Sequence, residues 1–207
     1  MATRKPIVGL AGGIGSGKSE VARLLASLGA AIISSDDLNR QQLENKEVKD
    51  TLAAWWGPEI LRPDGAIDRQ AVARIVFSNE AERSRLEALT HPRIAQHRLR
   101  LLDQFQRDPA IRMIVIDSPL LYETELDRLC DSVIFVESDL ESRVARVRAT
   151  RGWSREELER REKFQRPLDF KRARADHICI NNSDLGTLRH TVEAIFSRIV
   201  SGTGSIV

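Results

Sequence analysis

The strongest chemical signal in the sequence is a glycine-rich loop, Gly12–Ser19, which reads GGIGSGKS. It matches the pattern GxxxxGK[ST], whose glycines let consecutive backbone N–H groups approach a phosphate closely. The lysine of the pattern, Lys18, reaches the β- and γ-phosphates of a nucleotide, and the Ser19 hydroxyl is a ligand for Mg²⁺. The loop therefore predicts a nucleoside triphosphate site. The expected binding residues are Gly13, Ile14, Gly15, Ser16, Gly17, Lys18 and Ser19.

Two carboxylates follow predicted strands. Asp36 comes just after the apolar run Ala31–Ile33, and Asp117 directly after Met113–Ile116. We expect the carboxyl end of the second strand to lie beside the loop, where ligands bind in a doubly wound sheet. Asp36 is therefore our candidate for the carboxylate that accepts the proton of an acceptor hydroxyl. Both carboxylates are candidates to hold Mg²⁺, directly or through water. From position alone each has an alternative, because Asp36 or Asp37 can cap the next helix and Asp117 can begin a turn.

A basic segment lies near the end of the chain, at 143–176, with twelve Lys and Arg against six Asp and Glu. An arginine here can neutralise the charge of a phosphoryl group in transfer. The alternative for any one of them is a solvated helix face. The candidates at helical spacing are Arg143, Arg146, Arg148 and Arg151.

Alternating strand and helix patterns must position these residues. Such alternation predicts an α/β fold with a parallel sheet covered by helices on both faces. The predicted strands are Ile7–Ala11, Ala31–Ile33, Met113–Ile116, Val133–Val136 and Ile178–Ile180. The predicted helices outside the insertion described next are Ser19–Leu28, Leu140–Arg148, Arg155–Phe164 and Thr187–Val200.

The alternation is interrupted twice, which predicts three parts. Residues 37–107 contain no convincing strand and indicate a helical, acceptor-binding insertion with a turn at His91-Pro92 before a helix over Arg93–Phe105. Residues 140–176 are expected to form a basic lid. The P-loop nucleotide-binding core then comprises 1–36, 108–139 and 177–207.

Composition and missing motifs narrow the class of nucleotide-binding protein. The 207 residues are 42% hydrophobic and carry a net charge of only +2, which argues against a nucleic-acid partner. A signalling GTPase needs DxxG and NKxD motifs, which the sequence lacks, and a nucleic-acid motor needs a second core domain. Small-molecule kinases remain, because they combine a compact core with an acceptor-binding insertion and a lid.

Localisation is predicted from three negative signals. The longest uncharged stretch, 24–35, is shorter than the ~20 residues of a membrane span, and the N-terminal apolar run is too short for a signal peptide. The two cysteines form no CxxC pattern, so we expect reduced thiols. These signals predict a cytoplasmic protein without membrane association, and they leave its oligomeric state open.

Longer segments around the candidate residues carry a family likeness, and several of them are not general to P-loop proteins. They are Gly9–Ser19, Ile32–Arg40, Trp56–Asp68, Leu89–Ile94, Asp117–Glu123 and Gln165–Asn182. In these segments, and in their order and spacing, the sequence resembles the dephospho-CoA kinase family over nearly its whole length.

The resemblance implies transfer of the γ-phosphate of ATP, with Mg²⁺, to the ribose 3′-hydroxyl of dephospho-CoA, which gives CoA and ADP. It implies catalytic roles for Lys18, Asp36 and Arg146. Arg40 and His91, with Asp36, fall on acceptor-binding positions of the family. Arg151 and Asn181 are implied in ATP binding, Asn181 near the adenine.

The sequence departs from the family pattern at Ser34, where an aspartate is usual, and at Thr150, where the second lid arginine is displaced by one residue to Arg151. Two alternatives follow from these departures and from the shared loop. One is a nucleotide-binding regulator that has lost turnover. The retained residues argue against it: Lys18, Ser19, Asp36 and Arg146. The other is a kinase for a different small molecule, such as a nucleoside or nucleotide.

Overall fold

The computed structural model describes residues 4–202, so 1–3 and 203–207 of the predicted core lie outside the described residues. The strands are β1 (Ile7–Gly12), β2 (Ala30–Ser34), β3 (Met113–Asp117), β4 (Ser132–Glu137) and β5 (His177–Ile180). The α-helices are α1 (Lys18–Ser27), α2 (Ser35–Leu43), α3 (Lys46–Trp56), α4 (Arg69–Ser78), α5 (Glu80–Arg107), α6 (Leu140–Arg151), α7 (Arg155–Glu162), α8 (Leu168–Ala173) and α9 (Leu185–Val200). All five predicted strands are present to within one or two residues at each end.

The five strands form one parallel sheet in the order β2-β3-β1-β4-β5. Alternate strand residues, such as Val8 and Leu10, lie in one buried cluster with side chains of α1 and α9. On the opposite face a Cβ at Gly9 would lie 2.7 Å from the Leu121 side chain, so the segment after β3 covers that face closely. A parallel sheet with both faces covered is what the apolar, non-alternating runs predicted.

The chain divides into two compact units. One comprises the described residues up to Ser34 and from Gln104 onward, and it contains the sheet. The other, Ser35–Asp103, is helical and has its own small core. Its fully buried members include Leu52 and Ile60, and Trp55 and Trp56 pack against this core from its edge. The acceptor-binding role of 37–107 and the lid role of 140–176 stay predictions.

Helix α5 differs from the sequence-based expectation, because it continues through His91-Pro92 without a turn. A proline inside a helix removes one backbone hydrogen bond. Here Thr90, Ile94 and Arg98 form a buried stripe at four-residue spacing on both sides of Pro92, and burial of that stripe favours a continuous helix. None of the helices within 4–202 combines the length and hydropathy that crossing a bilayer requires.

Candidate functional site

The glycine loop joins the end of β1 to the start of α1 in a conformation that requires glycine. Gly15 and Gly17 have φ of 75° and 93°, in the left-handed region that side chains disfavour. A Cβ at Gly17 would also lie 2.2 Å from the amide nitrogen of Asn181. Gly17 is the N-cap of α1 and offers no side chain to its first turn. The positive end of the helix is therefore open to an anion.

The ammonium of Lys18 lies inside this loop. Its Nζ donates hydrogen bonds to the carbonyl oxygens of Gly12, at 3.0 Å, and Gly13, at 3.1 Å. Burial lowers the pKa of Lys18 to about 8, the negative charge of Asp117 opposes that shift, and the positive charges of Lys171 and Arg151 add to it. Charged groups around the loop thus act on the protonation of this ammonium.

Asp117 ends the strand next to the loop strand. In the register of the sheet it is paired with Leu10 of β1 on one side and with Ser34 of β2 on the other. Because β3 separates β1 from β2, the strand beside β1 on this side of the sheet ends at Asp117, whereas we expected the end of the second strand to lie beside the loop. Ser19, in the first turn of α1, is exposed.

Arg146 and Asn181 donate hydrogen bonds to backbone carbonyls of the loop. The guanidinium of Arg146 donates to the carbonyl oxygens of Gly15 and Ser16, both at 3.3 Å, and to that of Asn181 at 2.7 Å. It also donates to the hydroxyl of Ser138 at 2.9 Å. The side-chain amide of Asn181 donates to the carbonyl of Ser16 at 2.8 Å. Both residues were expected at the nucleotide, and here they contact the backbone of the loop that would bind it.

The sequence interpretation did not single out Glu162, which contacts the loop directly. Its Oε1 accepts a hydrogen bond from the backbone N–H of Ile14 at 3.0 Å, and an ion pair of 2.5 Å joins it to Arg143. One feature of the sequence could have indicated a special role for Glu162. It is an acidic residue in the last turn of α7, where a negative charge is unfavourable to the helix dipole.

Arg151, the last residue of α6, lies with its guanidinium carbon 4.8 Å from the ring centre of Trp153. Arg161 contacts the same ring at 4.1 Å. The positive charge of Arg151 contributes to the lowered pKa of Lys18, and its role in ATP binding stays a prediction. Thr150, at the departure from the family pattern, donates its hydroxyl to the backbone carbonyl of Arg146.

The predicted acceptor residues belong to the helical unit. Asp36 and Asp37 are in the first turn of α2, both exposed. Because they are helical, their side chains are about 100° apart around the axis and do not alternate as in a strand. Arg40 pairs with Asp37 at 2.5 Å. His91 is exposed on α5. Asp36 also adds a negative charge to the N-terminus of α2, which stabilises the helix dipole. This effect resembles the alternative that Asp36 or Asp37 caps the helix.

Known proteins resemble this chain over most of its length. The family model of dephospho-CoA kinase matches residues 6–186. The chain belongs to the dephospho-CoA kinase family. A dephospho-CoA kinase of Symbiobacterium thermophilum is 41% identical over 201 residues, which cover 96% of this chain and 83% of the relative.

Solved structures share the fold. The crystal structure of TT1252 from Thermus thermophilus superposes with a TM-score of 0.79 at 35% identity and covers 95% of this chain and 98% of that one. A shikimate kinase from Acinetobacter baumannii has a TM-score of 0.50 at 19% identity, with 97% and 96% covered, and shows likeness of fold alone. The predicted fold class and family are therefore confirmed.

Proposed function

We propose that this member of the dephospho-CoA kinase family transfers the γ-phosphate of ATP to the ribose 3′-hydroxyl of dephospho-CoA and releases CoA and ADP. The observation that carries the proposal is the glycine loop, with the Lys18 ammonium inside it and α1 starting directly behind it. This arrangement suits the phosphates of a nucleotide, and the family match supplies the acceptor.

The loop contributes charge and orientation to the transfer. Its backbone N–H groups and the first turn of α1 bind the phosphate oxygens. Lys18 replaces its hydrogen bonds to the carbonyls of Gly12 and Gly13 with contacts to the β- and γ-phosphates. Charge that develops on the transferring group is stabilised by donors fixed before the reaction, which is the largest part of catalysis in this class. Arg146 and Asn181 fix those donors through the carbonyls of Gly15 and Ser16.

The residues at the loop fit Mg²⁺. This ion uses one or two carboxylates and leaves its other positions to water and substrate phosphates. Ser19, exposed in the first turn of α1, and Asp117, whose charge reaches Lys18, supply a hydroxyl and a carboxylate. Among the described residues no group of three or more His, Cys, Asp or Glu converges on a metal. Bound Mg²⁺ neutralises charge on the β- and γ-phosphates.

We assign the acceptor side to the helical unit. A ribose hydroxyl is a weak nucleophile near neutral pH, so its proton needs an acceptor as the phosphoryl group arrives. We propose that Asp36 accepts this proton. Arg40, which pairs with Asp37, and His91 are proposed to bind the anionic and polar parts of dephospho-CoA.

We also propose that the enzyme works in the cytoplasm. Cys130 and Cys179 are both free thiols, with Cys179 buried, and thiols stay reduced in that compartment.

An acceptor competition tests the proposed function. ADP release is measured with dephospho-CoA, adenosine, AMP and pantothenate as acceptors, alone and as mixtures. We expect dephospho-CoA to support release and to be preferred in every mixture. The variant Lys18→Ala, which keeps the loop backbone, should lower that rate by about 10³-fold, as removal of a key electrostatic group does. Equal or faster release with another acceptor would assign the chain to a different small-molecule kinase.

A further inference from the structure

The carboxylate of Glu162 occupies a hydrogen-bond donor of the phosphate-binding loop. Its Oε1 accepts from the N–H of Ile14 at 3.0 Å and is 2.5 Å from the guanidinium of Arg143. The pair is shielded from water, with 6% of the Arg143 side chain and 20% of the Glu162 side chain exposed. Glu162 is 148 residues from Ile14 in the chain, so this contact exists only in the folded protein.

A phosphate oxygen and a carboxylate oxygen compete for the same donor. Loop N–H groups of this kind bind anionic oxygens, and the Ile14 N–H is one of them. A second anion that approaches this donor meets like charge as well as an occupied hydrogen bond. At the C-terminal end of α7 an acidic residue weakens the helix, so helix stability does not account for its position.

Arg143 has binding capacity that Glu162 does not use. Its Nη1 lies 2.7 Å from the position of a Cβ on Gly13 and donates weakly, at 3.4 Å, to the carbonyl of Ile14. Its Nε is buried and has no hydrogen-bond partner in the described part of the chain. An unsatisfied buried N–H is costly, and a guanidinium can present two N–H groups to one phosphate.

We propose that Glu162 competes with nucleotide for the loop, because its carboxylate occupies the position of a phosphate oxygen. Once a nucleotide displaces the carboxylate, Arg143 binds the phosphate. Glu162 thereby keeps the guanidinium beside Gly13 until a nucleotide arrives. The inference rests on the proposed nucleotide site, but not on the identity of the acceptor.

Binding of MgADP to nucleotide-free protein, measured by calorimetry, tests the proposal. Glu162→Gln keeps the size and an acceptor oxygen but removes the charge. We expect it to bind MgADP about fivefold more tightly, because a neutral amide competes less strongly than a carboxylate for the Ile14 N–H. The matched control is Glu159→Gln, an exposed position on the same helix, which should bind as the wild type does. In the Glu162→Gln background, Arg143→Gln should weaken binding about tenfold, because the phosphate loses a guanidinium.

A second readout is independent of affinity. In the nucleotide-free protein, Glu162→Gln should shift the amide resonance of Ile14, and saturation with MgADP should bring the Ile14 resonances of variant and wild type together. Unchanged or weaker MgADP binding by Glu162→Gln would overturn the competition, and an unaffected Ile14 resonance would remove the contact. No effect of Arg143→Gln in the variant background would make Arg143 a structural partner only. Each of these results, obtained while the wild type still binds MgADP, leaves the proposed kinase function standing.

Discussion

The side-chain amide of Asn181 donates a hydrogen bond of 2.8 Å to the backbone carbonyl of Ser16 and so joins the end of β5 to the phosphate-binding loop. Asn181 is buried, and its own carbonyl accepts from Arg146, which donates to Ser16 as well. The loop conformation is thus fixed by residues that come more than 100 positions later in the chain. We therefore expect nucleotide affinity to depend on Asn181 and Arg146 as well as on the groups that face the phosphates.

Removal of the Asn181 amide should weaken the nucleotide site. Asn181→Ala leaves the Ser16 carbonyl without this donor, and loss of a buried hydrogen-bond partner costs about 1–3 kcal/mol. We expect the Kd for MgADP to rise about tenfold, with a lower Tm. The matched control is Asn182→Ala, an exposed neighbour whose side chain accepts from the N–H of Asp139, away from the loop. Equal effects of the two variants on Kd would contradict a role in holding the loop.

The arginines of α6 should contribute unequally. Arg146→Ala removes donors to four oxygen atoms around the loop and should lower kcat more than Arg151→Ala, while the exposed Arg148 should tolerate alanine. Arg146→Lys should not rescue, because an ammonium cannot reproduce the branched geometry of a guanidinium. Steady-state kcat and KM for ATP are measured for all four variants. Similar losses across the three alanine variants would reduce the segment to a general basic surface.

Nucleotide binding should take up a proton at alkaline pH through Lys18. Burial sets the pKa of Lys18 at about 8 in the free protein. Nucleotide phosphates favour the charged ammonium and raise that pKa, so binding above pH 8 protonates the lysine, and MgADP affinity falls as pH rises through that range. Calorimetry at pH 8.5 in buffers of different ionisation enthalpy measures the uptake. Lys18→Arg, which stays protonated, should abolish it. No uptake by the wild type would mean that Lys18 is already fully charged.

Substitutions at Asp36 and Asp37 should affect different kinetic constants, kcat for Asp36 and KM for Asp37. Asp36→Asn removes the proposed proton acceptor and should lower kcat by about 10²–10⁴-fold with ATP and dephospho-CoA bound within about tenfold of normal. Asp37→Asn weakens the ion pair that holds Arg40, so we expect a higher KM for dephospho-CoA and a kcat within a few-fold. The reverse pattern, with Asp37→Asn inactive and Asp36→Asn active, would place the proton acceptor one residue later.

Local patterns were enough to predict the loop, the strands and the family. The glycine spacing of Gly12–Ser19 and the short apolar runs are each determined by neighbours in sequence. The sheet order was not predictable in this way, because the position of β3 between β1 and β2 depends on long-range pairing. The contact of Glu162 with Ile14 and the carbonyl partners of Arg146 could not be predicted either, because they join residues far apart in the sequence. Pro92 misled the sequence interpretation because burial of the α5 stripe outweighs one lost hydrogen bond.

The most direct test of the proposed function identifies the atom that receives the phosphoryl group. The enzyme is incubated with dephospho-CoA and ATP labelled in its γ-phosphate, and the product is examined by mass spectrometry and phosphorus NMR. We predict one added phosphate on the ribose 3′-oxygen, the label in CoA, and ADP formed in equal amount. Label found only in inorganic phosphate, or attached to another oxygen of the acceptor, would contradict the proposed function.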